Sequence, residues 1–251
     1  MNAPIKRTVL VTGAAGGMCH GINRRLAEAG HHILCVDLSL DAAEKAAHDI
    51  REHGGSADAF GADVSSAESV AALTEEVRAR GGAVDVVVNA AGILDRKYLR
   101  DHDADSFERV IDVNLVGPFR IIQAFAPEMV ERGWGRLINI SSIAGVTGYP
   151  YPSYAASKAG LSNMARSLVI DLWGTGVTIN SICPGVVDTP MVIQKVRDQV
   201  KNKVPTQRTI DPSEIGGLAL FLMSDDAKNI NGADIVIDGG ATSHFLLFDR
   251  E

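Results

Sequence analysis

The chain has 251 residues, of which 46% are apolar and 22% charged, with a formal net charge of −7. That length allows one large domain around one sizeable core, or at most two small ones. The acidic balance excludes a nucleic-acid backbone as partner, since that requires a basic face, and no apolar run approaches bilayer-spanning length.

Taken in chain order, short β-rich runs alternate with longer helical patterns. The N-terminal MNAPIKRTVLVTG runs straight into a glycine turn, so it reads as a first strand and not as a secretory signal. A cytoplasmic location is the default expectation. Strands are predicted at Thr8–Thr12, Ile33–Asp37, Ala57–Ala62, Val84–Asn89, Arg136–Ser141, Val177–Ile182 and Asp234–Ile237. Several are nearly continuous apolar segments, as in VDVVVN and RLINIS, the pattern of parallel strands covered on both faces. Helices are predicted at Gly17–Ala29, Asp41–His53, Ser66–Arg80, Ser106–Arg132, Pro152–Trp173 and Pro212–Ser224, with caps at Asp41 and Asp211-Pro212. This alternation predicts an α/β fold: a single-domain Rossmann-type doubly wound sheet of about seven parallel strands with helices on both faces. The stretch Val186–Thr209 fits no strand and follows a strand end, where lids over active sites lie.

The three cysteines, Cys19, Cys35 and Cys183, are too few and too scattered for a disulfide framework. Cys19 and His20 are adjacent, a poor chelating arrangement, and no CxxC or HExxH accompanies them, so no metal is expected. His31 and His32 fall at no ligand spacing and are expected on the surface.

The first strand ends in Thr12-Gly13-Ala14-Ala15-Gly16-Gly17-Met18 before a helix. Glycines there allow a tight turn and close approach of a phosphate to backbone N–H groups, at the positive end of the helix. Alone the turn is a weak signal; after the first strand of an alternating pattern it is stronger. The second strand ends at Asp37, 24 residues past Gly13. A carboxylate at about that distance accepts hydrogen bonds from the adenosine ribose hydroxyls and repels the 2′-phosphate of NADP. Leu38 follows rather than an arginine, so NAD is favoured over NADP. The alternative reading of Asp37 is a turn cap before the next helix. Asp63-Val64 and Asn89-Ala90-Ala91-Gly92 end the third and fourth strands and belong at the same crevice.

The fifth strand ends at Ser141-Ser142, and the next helix carries Tyr154-Ala155-Ala156-Ser157-Lys158. Tyrosine and lysine at i and i+4 share a helix face. A nearby ammonium stabilises phenolate, so the Tyr154 pKa is expected to fall toward the range useful for general acid–base work. A Ser142 hydroxyl suits a substrate oxygen with developing charge. Asn114 is placed to relay a proton through water or to brace the lysine.

In this order the motifs resemble the short-chain dehydrogenase/reductase family, in its branch of about 250 residues, over nearly the whole chain. They are TGxxxGxG from Thr12, Asp63-Val64, NAAG at Asn89–Gly92, Asn114–Gly117, the strand-end serine, YxxxK, PGxxxT at Pro184–Thr189 and Asp238–Gly240. The resemblance implies a catalytic tetrad of Asn114, Ser142, Tyr154 and Lys158, with Ser142 preferred over Ser141 because SIAGVTG aligns with the family's segment at the catalytic serine. It implies Asp63 near the adenine, Lys158 on the nicotinamide ribose, and Pro184, Val187 and Thr189 at the nicotinamide. The cofactor-binding set expected is thus Gly13, Gly16, Gly17, Met18, Asp37, Leu38, Asp63, Val64, Asn89, Ala91, Gly92, Tyr154, Lys158, Pro184, Val187 and Thr189.

Two positions depart from the family pattern. Cys19 stands at the third glycine of TGxxxGxG, which admits either a tolerated small residue or a redox-sensitive thiol at a helix N-terminus. Ala90 stands where the family usually has asparagine. The activity implied is interconversion of an alcohol (secondary alcohol, sugar or hydroxy acid) and its carbonyl compound, the partner being a small molecule. A 3-oxoacyl thioester reductase is the alternative. A dehalogenase-type relative, which replaces the lysine by arginine, is opposed by Lys158 and Asp37. Substrate should lie among Ile93–Asp101, which holds Arg96, Lys97 and Arg100, Ile143–Ser153, which holds Tyr149 and Tyr151, and the lid. The lid contributes Met191, Val192, Ile193, Lys195 and Arg197. The basic residues suit either an anionic substrate group or a solvated loop face. The family also suggests a homotetramer built on the long helices, with the apolar tail His244–Phe248 packed on a neighbour.

Overall fold

The computed structural model describes residues 5–190 and 192–243. Seven parallel strands form one sheet: β1 (Thr8–Thr12), β2 (His32–Asp37), β3 (Ser56–Gly61), β4 (Val86–Asn89), β5 (Gly135–Ile140), β6 (Val177–Pro184) and β7 (Asp234–Ile237). Their order is β3-β2-β1-β4-β5-β6-β7, the doubly wound arrangement expected, with β1 and β4 adjacent at the switch point. Among the described residues there are eight α-helices: α1 (Gly17–Glu28), α2 (Leu40–Glu52), α3 (Ala67–Ala79), α4 (Ala104–Ile111), α5 (Gly117–Glu131), α6 (Pro152–Asp171), α7 (Gln194–Lys203) and α8 (Pro212–Met223). None of the described helices is long and apolar enough to cross a membrane.

The two-residue period of a strand divides its side chains between the two layers. Val9, Val11, Ile33, Cys35, Val86 and Val88 pack with Ile22 and Leu26 of α1 and Ile215 of α8. Leu10, Leu34, Val36 and Val87 face the opposite way, onto Leu73 of α3 and Ile121 and Phe125 of α5. β5 and β6 are buried along their whole length, so their polar residues Arg136, Asn139, Thr178, Asn180 and Ser181 lie in the interior with the apolar ones. Helix starts follow local capping chemistry. Ser66 accepts the Ser69 N–H at the start of α3. Asp211 and Glu214 make a reciprocal capping box at α8. At α2 the cap is Ser39, which accepts from Ala42, while Asp41 lies in the first turn rather than at the expected cap position.

Three further expectations change. The helix predicted over Ser106–Arg132 is two helices joined by a π-helical turn, Asp112–Val116. The wider turn places Asn114 in the interior with none of its surface exposed. The lid segment contains α7, and its base is closed by a parallel bridge between Val187 and Ile210. His31 is buried and its Nδ1 accepts the Arg7 N–H at 3.2 Å. His32 lies between Ser56 Oγ at 2.7 Å and Asp58 at 3.2 Å, because β1, β2 and β3 bring these strand starts together. Neither histidine is therefore a free surface residue. Met191 and the tail His244–Phe248 lie outside the described residues.

Candidate active site

The C-terminal ends of β1 to β4 open onto a cleft of about 890 Å³. Gly13, at φ +66°, turns the chain out of β1, and a side chain there would run into the Ala91 backbone at 2.8 Å. The turn is held from several sides. Thr12 Oγ1 accepts the N–H groups of Ala90 and Ala91, both at 3.1 Å, and Asn23 Nδ2 donates to the Ala14 carbonyl at 2.9 Å. Gly16 leads into α1 with no side-chain cap, so the first N–H groups of the helix face the cleft uncovered, as a pyrophosphate requires. One Asp37 oxygen accepts the Ala15 N–H at 3.1 Å, and its carboxylate lines the cleft beside Leu38, which is 74% exposed. Asp63 and Val64 line the next wall; Asp63 Oδ1 accepts both the N–H and the hydroxyl of Ser65. These features fit a dinucleotide: an open helix N-terminus for phosphates and a carboxylate one strand away for a ribose.

Most of the predicted cofactor residues meet in this cleft, namely Gly13, Gly16, Gly17, Met18, Asp37, Leu38, Asp63, Val64, Ala91, Gly92 and Thr189. Asn89 does not. Its side chain is buried and donates sideways to Asn139 on β5 at 3.0 Å. Cys19 lines the cleft but packs into the core, and burial and the nearby Asp37 charge push its thiol up to about 12. That is the opposite of an activated helix-N-terminal thiolate, so the redox-sensor reading is not supported. His20 turns away toward Asp49, at 3.5 Å.

A second cleft of about 580 Å³ adjoins the first, sharing Met18, Ala90, Gly92, Ile93 and Thr189. Ser142, Tyr154, Lys158, Pro184 and Val187 line it. The short turn after β5, Ile143–Gly145, lies directly on α6, since a side chain at Gly145 would stand 2.7 Å from the Lys158 backbone. This contact brings the Ser142 hydroxyl near the Tyr154 phenol, in the same cleft. Both serines line the cleft, but the Ser141 hydroxyl is engaged, donating to the Lys158 carbonyl at 2.9 Å and accepting from Ser162.

Lys158 is buried, and its Nζ donates to the Ile140 carbonyl at 2.7 Å and lies 5.7 Å from the centre of the Tyr154 ring. Burial pushes the ammonium down to about 8. Tyr154 departs from expectation: burial raises its phenol above the ordinary value, the Ser142 hydroxyl pulls it back, and the nearby Tyr149 raises it. Desolvation of the phenolate outweighs the Ser142 hydroxyl that favours it. Asn114 Oδ1 accepts the Ile93 N–H at 2.8 Å, and its Nδ2 donates to the Ile93 carbonyl and to Ser157 Oγ. It therefore braces the chain after β4 and the helix turn just before Lys158. Ser157 was not singled out in the sequence, although its place inside the YxxxK spacing is the available signal.

Of the three basic residues in Ile93–Asp101, only Arg96 lines the cleft. Lys97 is paired with Asp103 at 2.9 Å and Arg100 with Asp101 at 3.5 Å. Tyr149 and Tyr151 line it, with Val192, Ile193 and, from α7, Val196. Lys195 lies outside the lining, and Arg197 is paired with Asp188.

A family model described as enoyl-(acyl carrier protein) reductase matches residues 13–242. D-beta-hydroxybutyrate dehydrogenase of Rhizobium meliloti is 32% identical over 255 residues, 94% of this chain and 99% of that protein. The structure of a gluconate 5-dehydrogenase from Burkholderia cenocepacia, solved with NADP and tartrate, superposes with a TM-score of 0.90 at 32% identity. It covers 96% of this chain and 97% of that one. A 3-oxoacyl-[acyl-carrier protein] reductase from Brucella melitensis with bound NAD gives a TM-score of 0.88 at 30% identity, covering 95% and 92%. With its sheet order, its Ser–Tyr–Lys cleft and these matches along nearly its full length, the chain belongs to the short-chain dehydrogenase/reductase family of oxidoreductases.

Proposed function

We propose that this protein is an NAD-dependent dehydrogenase that interconverts an alcohol (secondary alcohol, sugar or hydroxy acid) and its carbonyl compound, with Tyr154 as acid–base. The observation that carries the reading is the gathering of Ser142, Tyr154 and buried Lys158 in the second cleft, which shares Gly92 and Ile93 with the cofactor cleft. In oxidation Tyr154 takes the proton from the alcohol oxygen, and Ser142 donates a hydrogen bond to that oxygen. Lys158 stabilises the phenolate and serves the nicotinamide ribose, and Asn114 keeps α6 and the Ile93 backbone in register. The bound nicotinamide supplies the acceptor for hydride from the carbinol carbon. In reduction Tyr154 returns the proton. The two dehydrogenase relatives act on D-beta-hydroxybutyrate and gluconate, both hydroxy acids.

Preference for NAD rests on Asp37, whose carboxylate stands at the end of β2 in the cofactor cleft with Leu38 beside it and no cation following in sequence. Oxidation is the favoured direction on the same ground. Assembly as a homotetramer is supported by an apolar groove between α5 and α6, lined by Phe119, Ile122, Ala126, Val130, Leu168 and Leu172. Light scattering that returned a monomer mass would remove that part.

The test is a reduced-nicotinamide absorbance assay with NAD and NADP across secondary alcohols, sugars and hydroxy acids, run on the wild type and on Tyr154→Phe. Turnover with NAD should exceed that with NADP and fall by about 10²- to 10⁴-fold in the variant. Near-normal turnover by Tyr154→Phe would falsify the assignment.

A further inference from the structure

We infer that the substrate carries a carboxylate and that Arg96 binds it, an inference that rests on the alcohol–carbonyl reading above. The protein as a whole is acidic, at −7, yet its substrate cleft has the opposite character. Among the described residues that line it, the charged ones are Arg96 and Lys158, and no aspartate or glutamate is present. Lys158 is buried beneath Tyr154 and bonded to the Ile140 carbonyl. Arg96 is the cation left for a ligand.

Among the described residues no acid is paired with Arg96, and the surrounding loop explains why. Asp95 and Asp103 both face Lys97, at 3.5 and 2.9 Å, and Asp101 faces Arg100. The acids nearest in sequence are thus taken up by the other two cations. The Arg96 charge acts inward: it pulls the Tyr149 phenol down against the rise that burial imposes. The Tyr149 ring lies 5.9 Å from that of Tyr154.

Arg96 is also held on a loop pinned at both ends to the catalytic frame. Asn114 grips Ile93 through its N–H and its carbonyl. At the far end His102 Nε2 meets Ser153 Oγ at 3.0 Å, one residue before Tyr154, and Tyr98 packs on Tyr151 at 5.6 Å. Ser106 Oγ donates to the Asp103 carbonyl, which leaves it to accept from His102 Nδ1; the Ser153 hydroxyl then donates to Nε2. A pinned loop fixes the cation relative to the acid–base group, as recognition of a hydroxyl and a carboxylate on one small molecule requires. A guanidinium binds a carboxylate through two parallel hydrogen bonds, and one positive charge matches one negative.

The experiment compares kcat/KM for matched pairs: 3-hydroxybutyrate against its methyl ester, and gluconate against glucitol, in the wild type, Arg96→Leu and Arg96→Lys. The wild type should prefer the acid of each pair. Arg96→Leu should lower the acid-to-neutral ratio by about 10- to 100-fold, chiefly through KM, and Arg96→Lys should recover part of it. The KM of the wild type for the acid should rise with ionic strength, and that dependence should be weaker in Arg96→Leu. An unchanged ratio in Arg96→Leu, or a wild-type preference for the neutral or a phosphorylated alcohol, overturns the inference. Calorimetric titration of the NADH-bound enzyme with butanoate and glutarate separates this failure from failure of the dehydrogenase reading. Binding that is lost in Arg96→Leu keeps the carboxylate assignment even where no alcohol in the panel turns over, and absence of binding by the wild type removes it.

Discussion

Lys158 shows how the proposed function and stability pull apart at a single side chain. Its folded pKa of about 8 lies below the ordinary 10.5. Between those values the unfolded chain holds a proton that the folded chain has released, so stability rises with pH across that window. Below about pH 8 both states hold the proton, and the folded state carries the full cost of the buried charge, on the order of 3 kcal/mol. Lys158→Met removes that charge and gives up one hydrogen bond to Ile140, worth about 1 kcal/mol. The variant should therefore lose turnover, melt several degrees higher at pH 7, and show a flatter rise of stability between pH 8 and 10.5. Melting curves across pH read this directly, and a lower melting temperature for the variant at every pH would contradict it. The YxxxK spacing made the pair visible in the sequence. It did not make visible the sign of the Tyr154 shift, because spacing reports neighbours on a helix face and says nothing about how deeply both are desolvated. Cys19 misled for the same reason: its helix-N-terminal position suggested an acidic thiol, and its place in the core decides otherwise.

Among the elements, the contact between the turn Ile143–Gly145 and α6 sets the distance from Ser142 to Tyr154. A valine at Gly145 would press on the Lys158 and Ala159 backbone, at 2.7 and 2.8 Å, and neither is a flexible side-chain end. Gly145→Val should destabilise the protein by about 1–3 kcal/mol and reduce kcat more than cofactor affinity, since the glycine turn after β1 is remote from the change. Calorimetry and cofactor titration together check this, and equal losses in both would mean that the effect is global unfolding. Elements with strong periodicity were legible from sequence: β1 and β7 have the predicted limits, and α1, α6 and α8 start where expected. The π-helical turn at Asp112–Val116 was not, because apolar residues continue through it and the extra residue per turn leaves no mark in composition. α7 was missed because QKVRDQVKNK offers only two valines to a core.

For the whole molecule, the sheet order follows from the alternation of apolar runs and helical patterns, and with it the location of both clefts. The charge of the second cleft was less legible, because ion pairing decides which of the three loop cations faces it. All three cysteines are buried in the interior, and burial raises each thiol. The native protein should leave them unreactive toward a thiol reagent at neutral pH, and all three should titrate in denaturant. Rapid reaction of one thiol in the native state would mean that the core opens locally there. The aromatic residues divide just as cleanly. The chain has four tyrosines, and they form one linked group, Tyr98–Tyr151–Tyr149–Tyr154, with neighbouring rings 5.5 to 5.9 Å apart. Its two tryptophans, Trp134 and Trp173, lie at the opposite rim, where β5 and β6 begin. The molecule thus carries two separate optical reporters: tyrosine absorbance follows occupancy of the reacting end, and indole emission follows the integrity of the far edge of the sheet.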